Sequence, residues 1–503
     1  MGAHITLHNV CVAHASGEAL FTSDDLTFVP GWTGVVGANG AGKSTLLRAL
    51  HGDIVPIEGH VRFDPRDAIV HLCAQSVDAL DDAVWRFAED DHARRGRAEL
   101  GLDPNELDRW ATLSPGERRR WQVGAALALE PDVLLLDEPA NHLDTDARRW
   151  FTRALARFRG TGLVVSHDRA LLDAVTSHTA RIHQGALTLW PGAFTDARAQ
   201  WERERSASLQ AHADAAHERK RLTRVLADTR RELDAAQRQR SAAARMKGKL
   251  DHDARGALAK GKAALGEAAW SRRAGVLRRD VDRATEALDT HAVTRDREDG
   301  AAITFPYAPC PRATVLSHDQ DVLRAGDVTL AHGARVALAR GEHVWLRGRN
   351  GAGKSTLLRA MVTGSSLPPE RLLHLPQELD PEAIALSLAA LRTLDRETRG
   401  RLLAIVDALG SDPSRLLATP SPSPGEARKL TLALAMARGA WALALDEPGN
   451  HMDLPSIERL QDALARFPGA LVMVTHDDAL GRACCRTAWT IADGALHVES
   501  LAS

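Results

Sequence analysis

The stretch Gly37-Ala38-Asn39-Gly40-Ala41-Gly42-Lys43-Ser44-Thr45 returns nearly unchanged as Gly348-Arg349-Asn350-Gly351-Ala352-Gly353-Lys354-Ser355-Thr356. Each copy follows a short apolar, β-rich run, Trp32 to Val36 in the first and His343 to Leu346 in the second. Glycines at such a strand-to-helix turn let backbone N–H groups converge on phosphate at a helix N-terminus. Lys43 and Lys354 add a mobile positive charge, and the hydroxyls of Ser44 and Ser355 suit Mg²⁺. The two lysines stand 311 residues apart, and four later landmarks repeat at an offset of 309. These are Ser114 with Ser423, Asp137 with Asp446, Glu138 with Glu447 and His167 with His476. A chance loop has no such echo. The chain is a duplication of a whole phosphate-binding domain, and such domains work as a facing pair.

Each later landmark has its own chemistry. The runs Val133 to Leu136 and Ala442 to Leu445 are wholly apolar and end in Asp-Glu-Pro. Unalternating runs bounded by loops fit buried strands of a mostly parallel sheet, so the expected class is α/β. At each strand end the first acid, Asp137 or Asp446, suits an outer hold on Mg²⁺. The second, Glu138 or Glu447, can polarise an attacking water as general base. His167 and His476 follow another strand, where each can touch a terminal phosphate and steady that water. Ser114-Pro115-Gly116-Glu117 and Ser423-Pro424-Gly425-Glu426 read as capping boxes with proline at the first helical position. A helix so capped also points its N–H groups at an anion, here a phosphate held by the opposite domain.

Composition bounds the class. The 503 residues give room for two domains of roughly 190 residues and an insert. A net charge of −2 gives no bulk attraction to nucleic acid. No apolar run approaches the roughly 18 residues of a membrane span, and no basic-then-apolar leader opens the chain. Met1 to Thr6 matches a myristoylation pattern, but the alternation from His4 to Leu7 reads as a first strand. The five cysteines lack metal-ligand spacing. The expectation is a soluble cytoplasmic protein. Arginine outnumbers lysine 56 to 8, a ratio that fits a GC-rich genome.

The expected boundaries are 1–192 for the first domain, 193–312 for a linker and 313–503 for the second domain. Residues 196–300 are rich in Ala, Arg and Glu and hold no proline, so they read as two long helices with a break near Gly248 and Gly256. The first, about 196 to 244, would run roughly 70 Å. Pro306 to Pro311 reads as a stiff, extended lead into the second domain. Residues 196–300 carry a net charge of +6, all of it within residues 238–262. Four of the eight lysines lie there, Lys247, Lys249, Lys260 and Lys262. Genome bias does not concentrate lysine, so the bend reads as a prong whose tip meets phosphate-rich RNA.

Phosphate loop, Gln75 or Gln377, serine-glycine signature, carboxylate pair and histidine stand in an order that resembles the ATP-binding-cassette superfamily across both halves. The runs Asp137-Glu138-Pro139-Ala140-Asn141-His142-Leu143-Asp144 and Glu447-Pro448-Gly449-Asn450-His451-Met452-Asp453 resemble its F subfamily. The resemblance implies two tandem ATPase domains joined by a helical hairpin, with ATP and Mg²⁺ as cofactors. It implies that Gln75 and Gln377 ligate Mg²⁺ and that Ser114 and Ser423, with Gly116 and Gly425, close over the opposite ATP. It further implies a monomer that pairs its own cassettes, enters the ribosomal E site and reaches rRNA and P-site tRNA with the hairpin.

The pattern departs from the family in places. Proline and glutamate replace one glycine and the glutamine of the usual LSGGQ, and Pro422 replaces its leucine in the second copy. The adenine-stacking aromatic is absent, with His14 near its place in the first half and nothing in the second. Lys43 to Ser114 is 71 residues and Lys354 to Ser423 is 69, which leaves no room for the arm that some housekeeping members insert. The chain also ends soon after the second cassette, with no C-terminal coil expected. Armless members with an extended hairpin often protect ribosomes from antibiotics. Housekeeping translation factors are the alternative, and the ATPase pair of a membrane transporter is a weaker one, since the basic insert speaks against it.

Overall fold

The computed structural model describes the chain except residues 1–2, 14–16, 18, 76, 78–79, 141–144, 246–252, 291–302, 304, 306, 420–421 and 502–503. It also leaves undescribed the side chains of 115, 145–146, 236–237, 239–245, 253–268 and 290. Residues 1–197 and 297–503 form one compact unit and 198–296 another.

In the first unit each cassette is built on a parallel core of five strands. The first cassette orders them as Val70–Cys73, Val133–Asp137, Thr161–Val165, Gly31–Gly37 and Thr176–His183. The second repeats the order with Leu372–Leu375, Ala442–Asp446, Ala470–Val474, His343–Gly348 and Thr487–Ala492. The strands that end in Asp137 and Asp446 and their neighbours Thr161–Val165 and Ala470–Val474 are buried at every residue. That explains why their sequences do not alternate: both faces are covered. Helices Lys43–His51 and Lys354–Thr363 bury Leu46, Leu47 and Leu50 in one copy and Leu357, Leu358 and Met361 in the other. Each buried leucine contributes about 1.5–3 kcal/mol.

This arrangement places the phosphate loop, the carboxylates and the histidine at the C-terminal ends of adjacent parallel strands, where ligands of open α/β sheets bind. Antiparallel strands flank the core. In the first cassette His4–Ala13 pairs with Ala19–Ser23, Leu26–Phe28 and Glu58–Asp64. His4–Ala13 is the first strand expected from its alternation.

The second unit consists of long helices. Phe194–Arg245, which starts within the first unit, has 52 residues, and Asp253–Thr290 has 38. At 1.5 Å per residue the longer is about 78 Å. Its exposed face carries pairs such as Arg198 with Glu202 and Arg221 with Glu218. The two helices expected here are present: the first ends at Arg245 and the second starts at Asp253, so the break falls around Gly248 and three residues before Gly256. That residue lies inside the helix Asp253–Thr290. A helical glycine costs only about 1 kcal/mol relative to alanine, and the alanines around it offset that. Gly248, Lys247 and Lys249 lie outside the described residues. Lys260 and Lys262 are helical, with their side chains undescribed.

Gly37 and Gly348 show how closely the loops sit on the sheet. Their φ angles are 155° and 152°, and in each a Cβ would stand 2.5 Å from the carbonyl oxygen of Ile182 or Ile491 on the neighbouring strand. Neither backbone can yield without opening the sheet. Gly37→Ala or Gly348→Ala should therefore destabilise its cassette by about 2–3 kcal/mol. The check is the thermal midpoint of the purified chain, and an unchanged midpoint would refute this account of the loop.

Candidate functional site

The phosphate loops hold their lysines by their own carbonyls. Lys43 Nζ donates to Gly37 O at 2.9 Å and Ala38 O at 3.0 Å. Lys354 Nζ donates to Gly348 O at 2.8 Å and Arg349 O at 2.9 Å. An ammonium has three donors, so Lys43 is fixed in place with one left for an anion. Burial lowers its pKa, while Glu138, Asp453 and Asp137 oppose the loss of charge.

The acids close the strands through a strained turn. Glu138 and Glu447 have φ of 49° and 48°, a left-handed conformation that side chains rarely adopt. Their N–H groups donate to Val165 O and Val474 O, each at 2.9 Å, and these bonds hold the turn against the next strand. Asp137 hydrogen-bonds Ser44, and burial raises its pKa. Its Oδ1 and both carboxylate oxygens of Glu138 are buried without a hydrogen-bond partner. A buried, unpartnered carboxylate oxygen beside the Ser44 hydroxyl fits a cation, and Gln75 lines the same cavity.

The histidines differ between copies. His167 Nε2 lies 2.9 Å from Glu138 Oε1 without the alignment of a hydrogen bond. His476 Nε2 stands 3.7 Å from Glu447 Oε1 and 3.2 Å from Asn350 Oδ1. The His476 N–H reaches Glu447 Oε2 at 3.4 Å. Burial pushes the Glu447 carboxyl up to about 7, and Arg148 is the largest influence opposing it.

Both signature serines make complete capping boxes. Ser114 Oγ accepts from Glu117 N at 3.3 Å while Ser114 N donates to Glu117 Oε2 at 2.7 Å. Ser423 and Glu426 do the same at 3.3 and 2.9 Å. The Ser114 bonds hold the Glu117 carboxyl below its usual range.

The two cassettes meet at a cavity of about 530 Å³. The first cassette lines it with Asn39, Gly40, Gly42, Lys43, Ser44 and Thr45, and with Gln75, Asp137, Glu138 and His167 behind them. The second supplies Ser423, Gly425, Asn450 and His451. Two bonds cross from the phosphate loop: Asn39 N to Asp453 Oδ2 at 2.7 Å, and Asn39 Nδ2 to His451 O at 3.1 Å. Gly425 has to be glycine here, because a Cβ would stand 2.4 Å from His451 O. The reciprocal set is not assembled by any described contact. Ser114 and Gly116 open the helix Pro115–Ala128, and Gly348, Gly351, Gly353, Ser355 and Thr356 form the other loop with Gln377 and Asp446 in the same cassette. Asn141 to Asp144, the counterpart of Asn450 to Asp453, lies outside the described residues, as does His14.

Some residues of the site escaped the sequence reading. Buried Arg119 donates to Ala74 O at 2.7 Å and also to Gln75 O. Its counterpart Arg428 donates to Gln377 O, Asp446 O and Glu447 O at 2.8, 2.9 and 2.7 Å. Burial lowers the pKa of Arg428 to about 10. These arginines tie the glutamine loop to the signature helix, and in the second cassette to the carboxylate strand as well. The same offset of 309 that paired the other landmarks pairs them too. Asp453 repeats Asp144 at that offset, whereas Arg148, whose counterpart is Ile457, had no such signal.

Comparisons agree with this geometry. The family description "ABC transporter" matches twice, over residues 23–141 and 331–450. The chain is 30% identical to the ATP-binding protein Uup of Caulobacter vibrioides, over 92% of this chain and 72% of that protein. It is 27% identical to the energy-dependent translational throttle protein EttA of Escherichia coli, over 94% and 89%. It is also 27% identical to the ribosome protection protein VmlR of Bacillus subtilis, over 88% and 78%. A crystal structure of archaeal ribosomal stalk protein aP1 with archaeal ribosome recycling factor aABCE1 shares the fold, with a TM-score of 0.60 at 17% identity over 96% of this chain and 87% of that one. Two phosphate loops, each with its carboxylate pair and histidine, on sheets of one order, matched by relatives along nearly the whole chain, place this protein in the F subfamily of ATP-binding-cassette proteins, as an ATP hydrolase with two nucleotide-binding cassettes.

Proposed function

We propose that the protein binds the ribosomal E site when ATP closes its cassettes, and that its hairpin acts near the P-site tRNA and peptidyl-transferase centre to protect the ribosome from antibiotics. The observation that carries the ATP-driven part is the shared cavity, where the Ser423 helix start of one cassette faces the Lys43 loop of the other. In this reading Lys43, Lys354 and the loop N–H groups bind the β- and γ-phosphates. Glu138 and Glu447 take a proton from water, and His167 and His476 orient it. Ser114, Gly116, Ser423 and Gly425 present helix N-termini to the opposite γ-phosphate. Ser44, Gln75 and Asp137, with Ser355, Gln377 and Asp446, hold Mg²⁺, which when bound neutralises phosphate charge.

The ribosome is supported by the names of two relatives, a translational throttle protein and a ribosome protection protein. The basic bend with Lys247, Lys249, Lys260 and Lys262 supports RNA as what the hairpin touches. The domain extents 1–192, 193–312 and 313–503, a monomer and a cytoplasmic location belong to the same reading. No helix among the described residues is long and apolar enough to cross a membrane. The similarity to EttA favours a second reading, a housekeeping translation factor with the same cycle.

The ATP cycle is tested at its bases. Glu138→Gln with Glu447→Gln should keep ATP binding but slow hydrolysis by about 10²–10⁴. The double variant should then accumulate on ribosomes in ATP and inhibit translation. A ribosome-bound fraction equal to that of wild type would count against the cycle.

The hairpin is tested at its tip. Replacing Lys247, Lys249, Lys260 and Lys262 by Gln keeps helix propensity while removing four charges. Ribosome affinity should weaken, and its salt slope should fall by up to about 0.7 for each phosphate of single-stranded RNA that is no longer neutralised. Deleting Met246 to Leu250 should give a protein that still binds ribosomes, more weakly for the loss of Lys247 and Lys249, and still hydrolyses ATP, yet fails to rescue translation from a peptidyl-transferase drug. Rescue that survives the deletion rejects protection. A wild type that rescues from no drug class leaves the housekeeping reading.

A further inference from the structure

The helix after each carboxylate pair runs along the cassette interface, Thr145–Leu155 in the first copy and Leu454–Ala465 in the second. At the offset of 309 that aligns the other landmarks, Arg148 stands where the second copy has Ile457. The difference changes what crosses the interface. Arg148 Nη1 pairs with Asp168 Oδ2 at 3.0 Å in its own cassette and donates to His476 O at 3.2 Å in the other. Asp168 follows His167 directly and caps the next helix by accepting from Leu171 N at 3.0 Å. One guanidinium therefore joins the two histidine loops. Ile457 lines the cavity with Lys43 and Glu138 and has no donor to offer the His167 loop.

We infer that Arg148 is a positioning residue that makes the two ATP sites unequal: it holds the His476 main chain from the opposite cassette, whereas among the described residues the His167 loop is held across the interface only through the Arg169 side chain. The Arg148 and Asp168 side chains are only 28% and 14% exposed, so water competes weakly for the link. The held peptide is the one whose N–H reaches the Glu447 carboxylate at 3.4 Å. Opening the interface by an ångström or two breaks the main-chain bond at the His476 loop, while at the His167 loop it breaks only the side-chain contact from Arg169 to Gln461. Hydrolysis at the Glu447 site thus depends on how well the cassettes are seated, through a residue that acts on the main chain of the His476 loop.

The neighbouring contacts share this polarity. Arg169 of the first cassette donates to Gln461 Oε1 at 3.2 Å and lies 3.8 Å from Glu458 Oε1. Its own counterpart is Asp478. Cations come from the first cassette and acceptors from the second.

The inference rests on the reading that both sites hydrolyse ATP with Glu138 and Glu447 as bases. The test is single-turnover hydrolysis by the full chain, read at one site at a time. Glu138→Gln leaves the Glu447 site active and Glu447→Gln leaves the Glu138 site active. Arg148→Ile, which copies the second cassette, should slow the Glu447 site by about tenfold or more, the scale of one missing charge-assisted hydrogen bond. The effect should fall on kcat, with KM for ATP nearly constant. The Glu138 site should slow clearly less, because its loop loses the pair to Asp168 but keeps the cap that Asp168 gives Leu171 N. Arg148→Lys keeps a cationic donor at this place and should recover most of the rate. Equal slowing of both sites, or of neither, overturns the inference, as does a thermal midpoint that falls along with the rate. If instead neither Glu→Gln change slows wild-type hydrolysis, the assignment of the bases fails, whatever Arg148 does.

Discussion

The bond from the Asn39 N–H to the Asp453 carboxylate is the contact on which the paired architecture turns. Phosphate loops are nests of N–H groups at a helix start, so they accept any well-placed anion. Here one of those groups holds a buried aspartate of the other cassette. Burial alone would raise the Asp453 carboxyl. Lys429, Ser456 and the Asn39 N–H together keep it below the usual range and so keep it charged. Asp453 also caps the helix Leu454–Ala465 by accepting from Ser456 N at 3.0 Å. Lys429 sits on the signature helix Pro424–Ala437. One carboxylate therefore links the signature helix, the interface helix and the opposite phosphate loop. Removing one partner of such a buried set costs about 3–5 kcal/mol, so the three elements move as a unit.

Around that link the protein concentrates polar groups that a core would reject. Arg119 and Arg428 spend their donors on main-chain carbonyls of the glutamine loops, and Arg428 also reaches the carboxylate turn. That choice is physical. A guanidinium with several fixed donors can brace two loops at once, and it brings charge without taking up the carboxylates themselves. The carboxylate oxygens of Glu138 are left buried without a hydrogen bond, on a residue whose backbone already carries strain. Strain and missing partners at one residue are the usual mark of a group reserved for chemistry.

How much of this was legible depended on distance along the chain. The strands, the phosphate loops and the capping boxes are local, and each was readable from a few residues with a period or a fixed spacing. Duplication did the rest, because Asp137 with Asp446 and His167 with His476 vouch for one another. Asn39 and Asp453 lie 414 residues apart, and nothing in either segment announces the other. Arg119 and Arg428 were readable in principle, but arginine is so abundant here that its recurrence carries little signal. Gly256 marked the break only to within a few residues, since a lone glycine in an alanine-rich helix is a small penalty and the second helix already starts at Asp253.

Duplication followed by divergence also explains why the interface is one-sided. Two identical cassettes would meet as an isologous pair, each offering the other the same patch. Here Arg148 and Arg149 replace Ile457 and Glu458, and Arg169 replaces Asp478. The cations of the first copy now fit the acceptors of the second, as the contacts to His476 O, Gln461 and Glu458 demonstrate. Two first cassettes brought face to face would set arginine against arginine, a repulsion that works against the wrong pairing while the matched charges favour the right one. The residues that handle phosphate stayed alike in both halves, because both must still bind the same ligand. The residues between the halves were released from that demand, and their divergence turned a symmetric contact into a directional one.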